Sequence, residues 1–100
     1  MTLDRVISPD AVIGRIMTLE QAIRILDAEI RKNLKKFPVS DQKKWFSFKK
    51  DWSDARTGFG AFDLARLERR LGTYEMSYVW WSKQYAKNTG KKPSVILRLT

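Results

Sequence analysis

Neither cysteine nor histidine occurs among the 100 residues of this chain. The first absence excludes disulfides and thiolate nucleophiles, and the second removes the commonest general base. Together they exclude nearly all zinc chemistry. Long apolar runs are missing too. The longest, Tyr78 to Trp81 and Val95 to Leu97, fall far short of the ~20 residues that span a bilayer. No basic segment followed by an apolar core opens the chain, so no signal peptide is expected and the chain reads as cytoplasmic or particle-bound. Acid is scarce: 11 Asp and Glu face 20 Lys and Arg, for a net charge of +9.

That charge is unevenly placed. Residues 31–50 hold eight bases against Asp41 alone, and residues 83–100 hold five bases and no acid. The rest of the chain is slightly acidic. Two basic runs therefore stand out, Arg31, Lys32, Lys35, Lys36, Lys43 and Lys44 in the first and Lys83, Lys87, Lys91 and Lys92 in the second.

The strongest pattern is a stripe. Leu64, Leu67, Leu71, Tyr74, Tyr78, Trp81 and Tyr85 follow one another at alternating steps of three and four, which draws one apolar face down a long helix. Asp63 is placed to cap it, with Phe62 and Leu67 at the positions of a hydrophobic staple. Asn88, Thr89 and Gly90 form its stop, with Pro93 beyond. Gly72 is a soft spot within it.

Earlier segments follow the same logic. Ser8, Pro9 and Asp10 read as the start of a short helix, weakened at Gly14, and Thr18 with Gln21 matches a capping box for a second one, the alternative being one helix bent near Met17. Leu19, Ile23, Leu26, Ile30 and Leu34 continue on one face to Phe37, where Pro38 ends the run. Ser40 and Asp41 open the next helix, lined by Trp45, Phe48, Trp52 and Ala55. A turn over 56–61 follows, with Gly58 and Gly60. The expectation is one all-α domain over 1–100, a small antiparallel three-helix bundle with a short extra N-terminal helix. Its segments are a short helix at 9–17, main helices at 19–36, 41–56 and 63–88, and an apolar extended C-terminal tail at 91–100. In an up-down-up bundle the two basic runs meet at one pole. The last helix, at ~1.5 Å per residue, outruns its neighbour by some ten residues. Tyr78, Trp80, Trp81 and Tyr85 lie near that overhang and need a cover.

Nothing in the sequence resembles a catalytic constellation. The carboxylates are scattered beside basic residues, and Gly58 and Gly60 lack the preceding strand and following lysine of a phosphate-binding loop. No enzyme activity, cofactor or metal is expected. Lysines beside Trp45, Phe46 and Phe48 fit an electrostatic and stacking recipe for nucleic acid, although Trp45 and Phe48 sit on a core seam. A membrane-surface helix needs an apolar face left unpacked, and the seam serves better internally.

The expected function is a non-enzymatic structural or adaptor subunit that docks into a larger assembly, such as a virion or ribonucleoprotein component. Tryptophan and tyrosine are the usual anchors of such interfaces. Phe46, Trp80, Trp81, Tyr85, Val95, Ile96 and Leu97 are the candidate partner-binding residues. The ten bases of the two runs are the candidates for contact with phosphate or an acidic protein surface. Other subunits lead the partner classes, with a second copy of the chain open, and non-sequence-specific nucleic-acid binding is the alternative.

Overall fold

The computed structural model describes residues 9–58 and 64–97, with side chains described over 12–56 and 67–97. Three α-helices make up nearly all of it: α1 (Pro9–Lys32), α2 (Val39–Gly58) and α3 (Leu64–Thr89), with a short 3-10 turn at Leu34–Lys36 between the first two. Among the described residues there is no strand. The caps expected at Ser8 and Asp63, the staple at Phe62, the turn beyond Gly58 and the seam position Leu64 lie outside the described side chains.

Helix α1 corrects one expectation. Pro9 to Lys32 is a single helix of 24 residues, with no break between a 9–17 piece and a 19–36 piece. Thr18 does not cap a new helix, because its hydroxyl donates back to the Gly14 carbonyl at 2.8 Å, within the continuing helix. Gly14 costs the helix about 1 kcal/mol relative to alanine but does not end it. The helix stops at Lys32 instead of 36, and the chain tightens into the 3-10 turn. Gln42 holds that turn from α2, its amide donating to the carbonyls of Leu34 and Phe37 at 3.0 Å each. Helix α3 ends at Thr89, where Gly90 takes a left-handed φ of 71° and its N–H reaches the Ala86 carbonyl at 2.8 Å.

One core joins the three helices. Leu19, Ile23, Leu26 and Ile30 of α1 meet Trp45, Trp52 and Ala55 of α2 and the described seam of α3, Leu67 through Tyr85. The rings interlock. Trp45 stands edge-on to Trp81 with centroids 5.4 Å apart, and Trp52 stands edge-on to Tyr74 at 5.3 Å. Such pairs add about 0.5–1.5 kcal/mol each beyond the area they bury.

Burying an indole leaves its N–H in need of an acceptor. Trp45 donates to Asp27 at 2.9 Å and Trp52 donates to Glu20 at 2.8 Å. Each carboxylate also gathers two cations. Asp27 takes Lys49 at 2.7 Å and Arg31 at 2.9 Å, and Glu20 takes Arg24 at 2.8 Å and Arg56 at 3.3 Å. The second clamp repeats the first with every residue shifted by one heptad, backward on α1 and forward on α2. A third tie joins α1 to α3: Arg15 reaches the buried Glu75 carboxylate through both Nε, at 3.3 Å, and Nη2, at 2.6 Å.

The clamps make stability depend on pH. Burial pushes the carboxyls of Glu20 and Asp27 up, but the donors overcome it and hold both below their usual values. Groups with lowered folded pKa values stabilise the fold above their unfolded values, about 4.3 for Glu and 3.9 for Asp, and lose that contribution as pH falls through the folded ones. Urea unfolding between about pH 6 and pH 3 should show a steep acid loss in the wild type. The Glu20→Gln, Asp27→Asn double variant should start less stable and lose less. Equal acid losses in the two proteins would contradict the clamp.

Candidate interaction surfaces

The aromatic seam faces inward for its whole described length. Trp81 and Tyr85 are 4% and 3% exposed. They are therefore core residues of this chain and not surface contacts, contrary to the sequence expectation. The physical reason is helix length. At ~1.5 Å per residue α1, α2 and α3 measure about 36, 30 and 39 Å. The expected ten-residue overhang of α3 is therefore only six residues against α2 and two against α1. Phe37 covers Tyr85 with ring centroids 6.3 Å apart, and Asn33 donates to the Tyr85 hydroxyl at 3.5 Å.

Trp80 is different. One residue off the seam, it remains 46% exposed while its ring stands edge-on to Trp81 at 4.8 Å. Met76, one turn earlier, is 66% exposed. Met76, Val79, Trp80 and Lys83 line one hollow on the outer side of α3. A second hollow shares Val79 and Lys83 and adds Ser82, Ala86 and the tail residues Lys92, Pro93, Ile96 and Leu97. Phe46 is also half-exposed, but its ring lies under cations of this chain, with Lys49 Nζ 4.8 Å and the Arg31 guanidinium 5.9 Å from its centroid.

The described part of the tail folds back. The Tyr78 hydroxyl donates to the Val95 carbonyl at 2.8 Å, and the Ser94 N–H donates to Glu29 at 3.1 Å. Val95 and Leu97 are half-buried against the core, whereas Ile96 between them is 60% exposed. Val95 and Leu97 are thus packed on this chain, and Ile96 alone of the three points outward. This is a correction to the reading of all three as partner contacts. It follows from alternation in extended chain, which sends neighbours to opposite sides.

All ten bases of the two runs are exposed. Among the described residues Arg31 alone of the ten pairs with a carboxylate, that of Asp27. Arg31, Lys32, Lys35 and Lys36 rim a single hollow around the 3-10 turn, with Asn33 and Leu34. The contacts of Phe37 and Asn33 with Tyr85, and of Glu29 with Ser94, tie this region to the end of α3 and to the tail. Among the described residues no helix is long and apolar enough to cross a membrane. No group of three or more His, Cys, Asp or Glu among them could hold a metal ion.

Sequence reasoning missed Met76 and the groove beside it. The signal was present as a second stripe at helical spacing, Met76, Val79, Trp80, Lys83 and Ala86, displaced from the seam. Comparison of the chain with protein-family models, curated proteins and solved structures finds no match.

The alternation of the tail has a measurable consequence. Val95→Ala with Leu97→Ala should lower stability by about 1–3 kcal/mol, below the 2–5 of a fully enclosed large-to-alanine change. Ile96→Ala should stay within about 0.5 kcal/mol, as exposed substitutions do. Urea unfolding of the two variants checks this, and an Ile96 loss as large as the pair's would contradict the register.

Proposed function

We propose that this chain is a non-enzymatic adaptor or structural subunit that docks into a larger macromolecular assembly through the outer face of α3, with its basic pole contributing electrostatic attraction. The observation that carries the reading is Trp80. A large ring held half-exposed by an edge-on contact with Trp81, beside the exposed Met76, is the kind of rigid anchor that dominates interface energies. An enzyme is disfavoured because the chain has no histidine or cysteine and because Glu20, Asp27 and Glu75 are engaged in internal ion pairs. The inverse order of the pairs Glu20 with Trp52 and Asp27 with Trp45, and of Trp52 with Tyr74 and Trp45 with Trp81, supports an antiparallel up-down-up bundle. In that arrangement the two basic runs form one cap. A virion or ribonucleoprotein component suits these properties, in the cytoplasm or within the particle.

A second reading, non-sequence-specific nucleic-acid binding, is favoured by one observation: four bases rim the hollow at the 3-10 turn and, among the described residues, no carboxylate lines it. The two readings separate on gel filtration of cell extract. Trp80→Ala should return the chain from a high-mass species to its own 11.7 kDa while helicity is kept and stability falls by no more than about 1.5 kcal/mol. Nuclease treatment should leave the wild-type species intact. Dissociation by nuclease, with Trp80→Ala unchanged in elution, would overturn docking through α3 in favour of nucleic acid. A stability loss of about 2–4 kcal/mol would make Trp80 part of the core instead.

A further inference from the structure

The groove on the outer side of α3 has a shape and a charge that point to one kind of occupant. Its floor is a helical stripe from Met76 to Ala86, about 15 Å long at ~1.5 Å per residue. Its far wall is the tail, where the exposed Ile96 and parts of the packed Pro93 and Leu97 line the second hollow. That wall is fixed in place, because Tyr78 holds the Val95 carbonyl and Glu29 holds the Ser94 N–H. A groove already formed in the free chain spares its ligand the cost of ordering it.

Charge narrows the choice. Lys83 lines both hollows and Lys92 one of them, and among the described residues no carboxylate lines either. A second copy of this chain would bring Lys83 and Lys92 against like charges, which repel. Nucleic acid fits poorly too. Stacking needs successive aromatic platforms, and Trp80 is the single ring among aliphatic neighbours. The positions of the floor recur every three to four residues, the spacing that the ridges of another helix fill.

We propose that this groove receives an acidic amphipathic helix from another protein, its apolar side chains lying over Trp80 and Val79 and its carboxylates meeting Lys83 and Lys92. The proposal rests on the docking reading above and names the partner's chemistry.

The test uses fluorescein-labelled model peptides of roughly 18 residues, about five helical turns, with leucines on one face. One is flanked by glutamates and its twin by lysines, and binding to the full chain is read by anisotropy. The glutamate peptide should bind at least about tenfold tighter than its twin and weaken as salt rises. Trp80→Ala should cost at least about tenfold in affinity. The Lys83→Glu, Lys92→Glu variant should reverse the preference between the peptides. Circular dichroism of each variant establishes that it is folded. Equal affinity for the twins, still dependent on Trp80, would overturn the acidic partner and leave the docking face standing. No binding, or binding indifferent to Trp80→Ala, would overturn the acidic helix, and the docking reading of α3 would then stand or fall on the gel filtration of Trp80→Ala. A concentration-dependent dimer, or oligothymidylate binding, that is lost in Trp80→Ala would assign the groove to a second copy or to nucleic acid and overturn the acidic helix.

Discussion

The structure depends on what happens to an indole N–H when tryptophan is buried. An unsatisfied donor in the interior costs about 1–3 kcal/mol, so each core tryptophan needs an acceptor in a defined place. For the two tryptophans of α2 the acceptors come from α1, Glu20 for Trp52 and Asp27 for Trp45. The two carboxylates stand one heptad apart on α1, and the two indoles stand one heptad apart on α2. Sliding one helix past the other by a turn would leave both bonds unmade. The cations that join each carboxylate offset the cost of holding it partly buried, and they come from both helices: Arg24 and Arg31 from α1, Lys49 and Arg56 from α2. Once α1 and α2 are registered, their rings present a fixed surface, and Trp81 and Tyr74 pack edge-on into it.

That arrangement shapes the surface as well as the core. Glu20, Asp27, Glu29 and Glu75 are all engaged with donors inside the molecule. Among the described residues the lysines at the 3-10 turn, at the start of α2 and along the end of α3 have no carboxylate partner, and they face solvent. Four acids are thus held by internal donors while most lysines stay at the surface, where Asp51 and Asp54 are exposed as well. Trp80 sits next to this basic region, and Lys83 joins the two in one groove. An apolar anchor rimmed by cations suits a partner with the opposite sign.

Much of this was legible in the residues, for reasons that differ from element to element. The seam from Leu67 to Tyr85 could be read because a step of three and four admits only one helix face, and the end of α3 because Gly90 is the residue that tolerates the left-handed turn there. The single helix α1 was legible only as the alternative to two pieces. Thr18 and Gln21 satisfy a capping pattern, and only the bond of Thr18 back to Gly14 reveals that the backbone continues. Gln42 could not be read as the residue that closes the 3-10 turn, since its two acceptors are carbonyls, which carry no side-chain signature. For the candidate site, periodicity says which way Trp81 and Tyr85 point but not what lies over them. Their cover, Phe37 with Asn33, comes from a turn whose path the sequence does not specify. Trp80 lay one step off the seam and was recognisable for that reason.

Three of the four indoles are enclosed by the fold, and that of Trp80 stays half-exposed. Labelling with 5-fluorotryptophan gives a direct measurement, with one fluorine resonance for each of the four tryptophans. The resonance that disappears in Trp80→Phe should be the only one broadened by a soluble paramagnetic probe and shifted between water and deuterium oxide. The resonances of Trp45, Trp52 and Trp81 should be insensitive to both. A shielded Trp80, or solvent response at Trp45 or Trp52, would contradict the account.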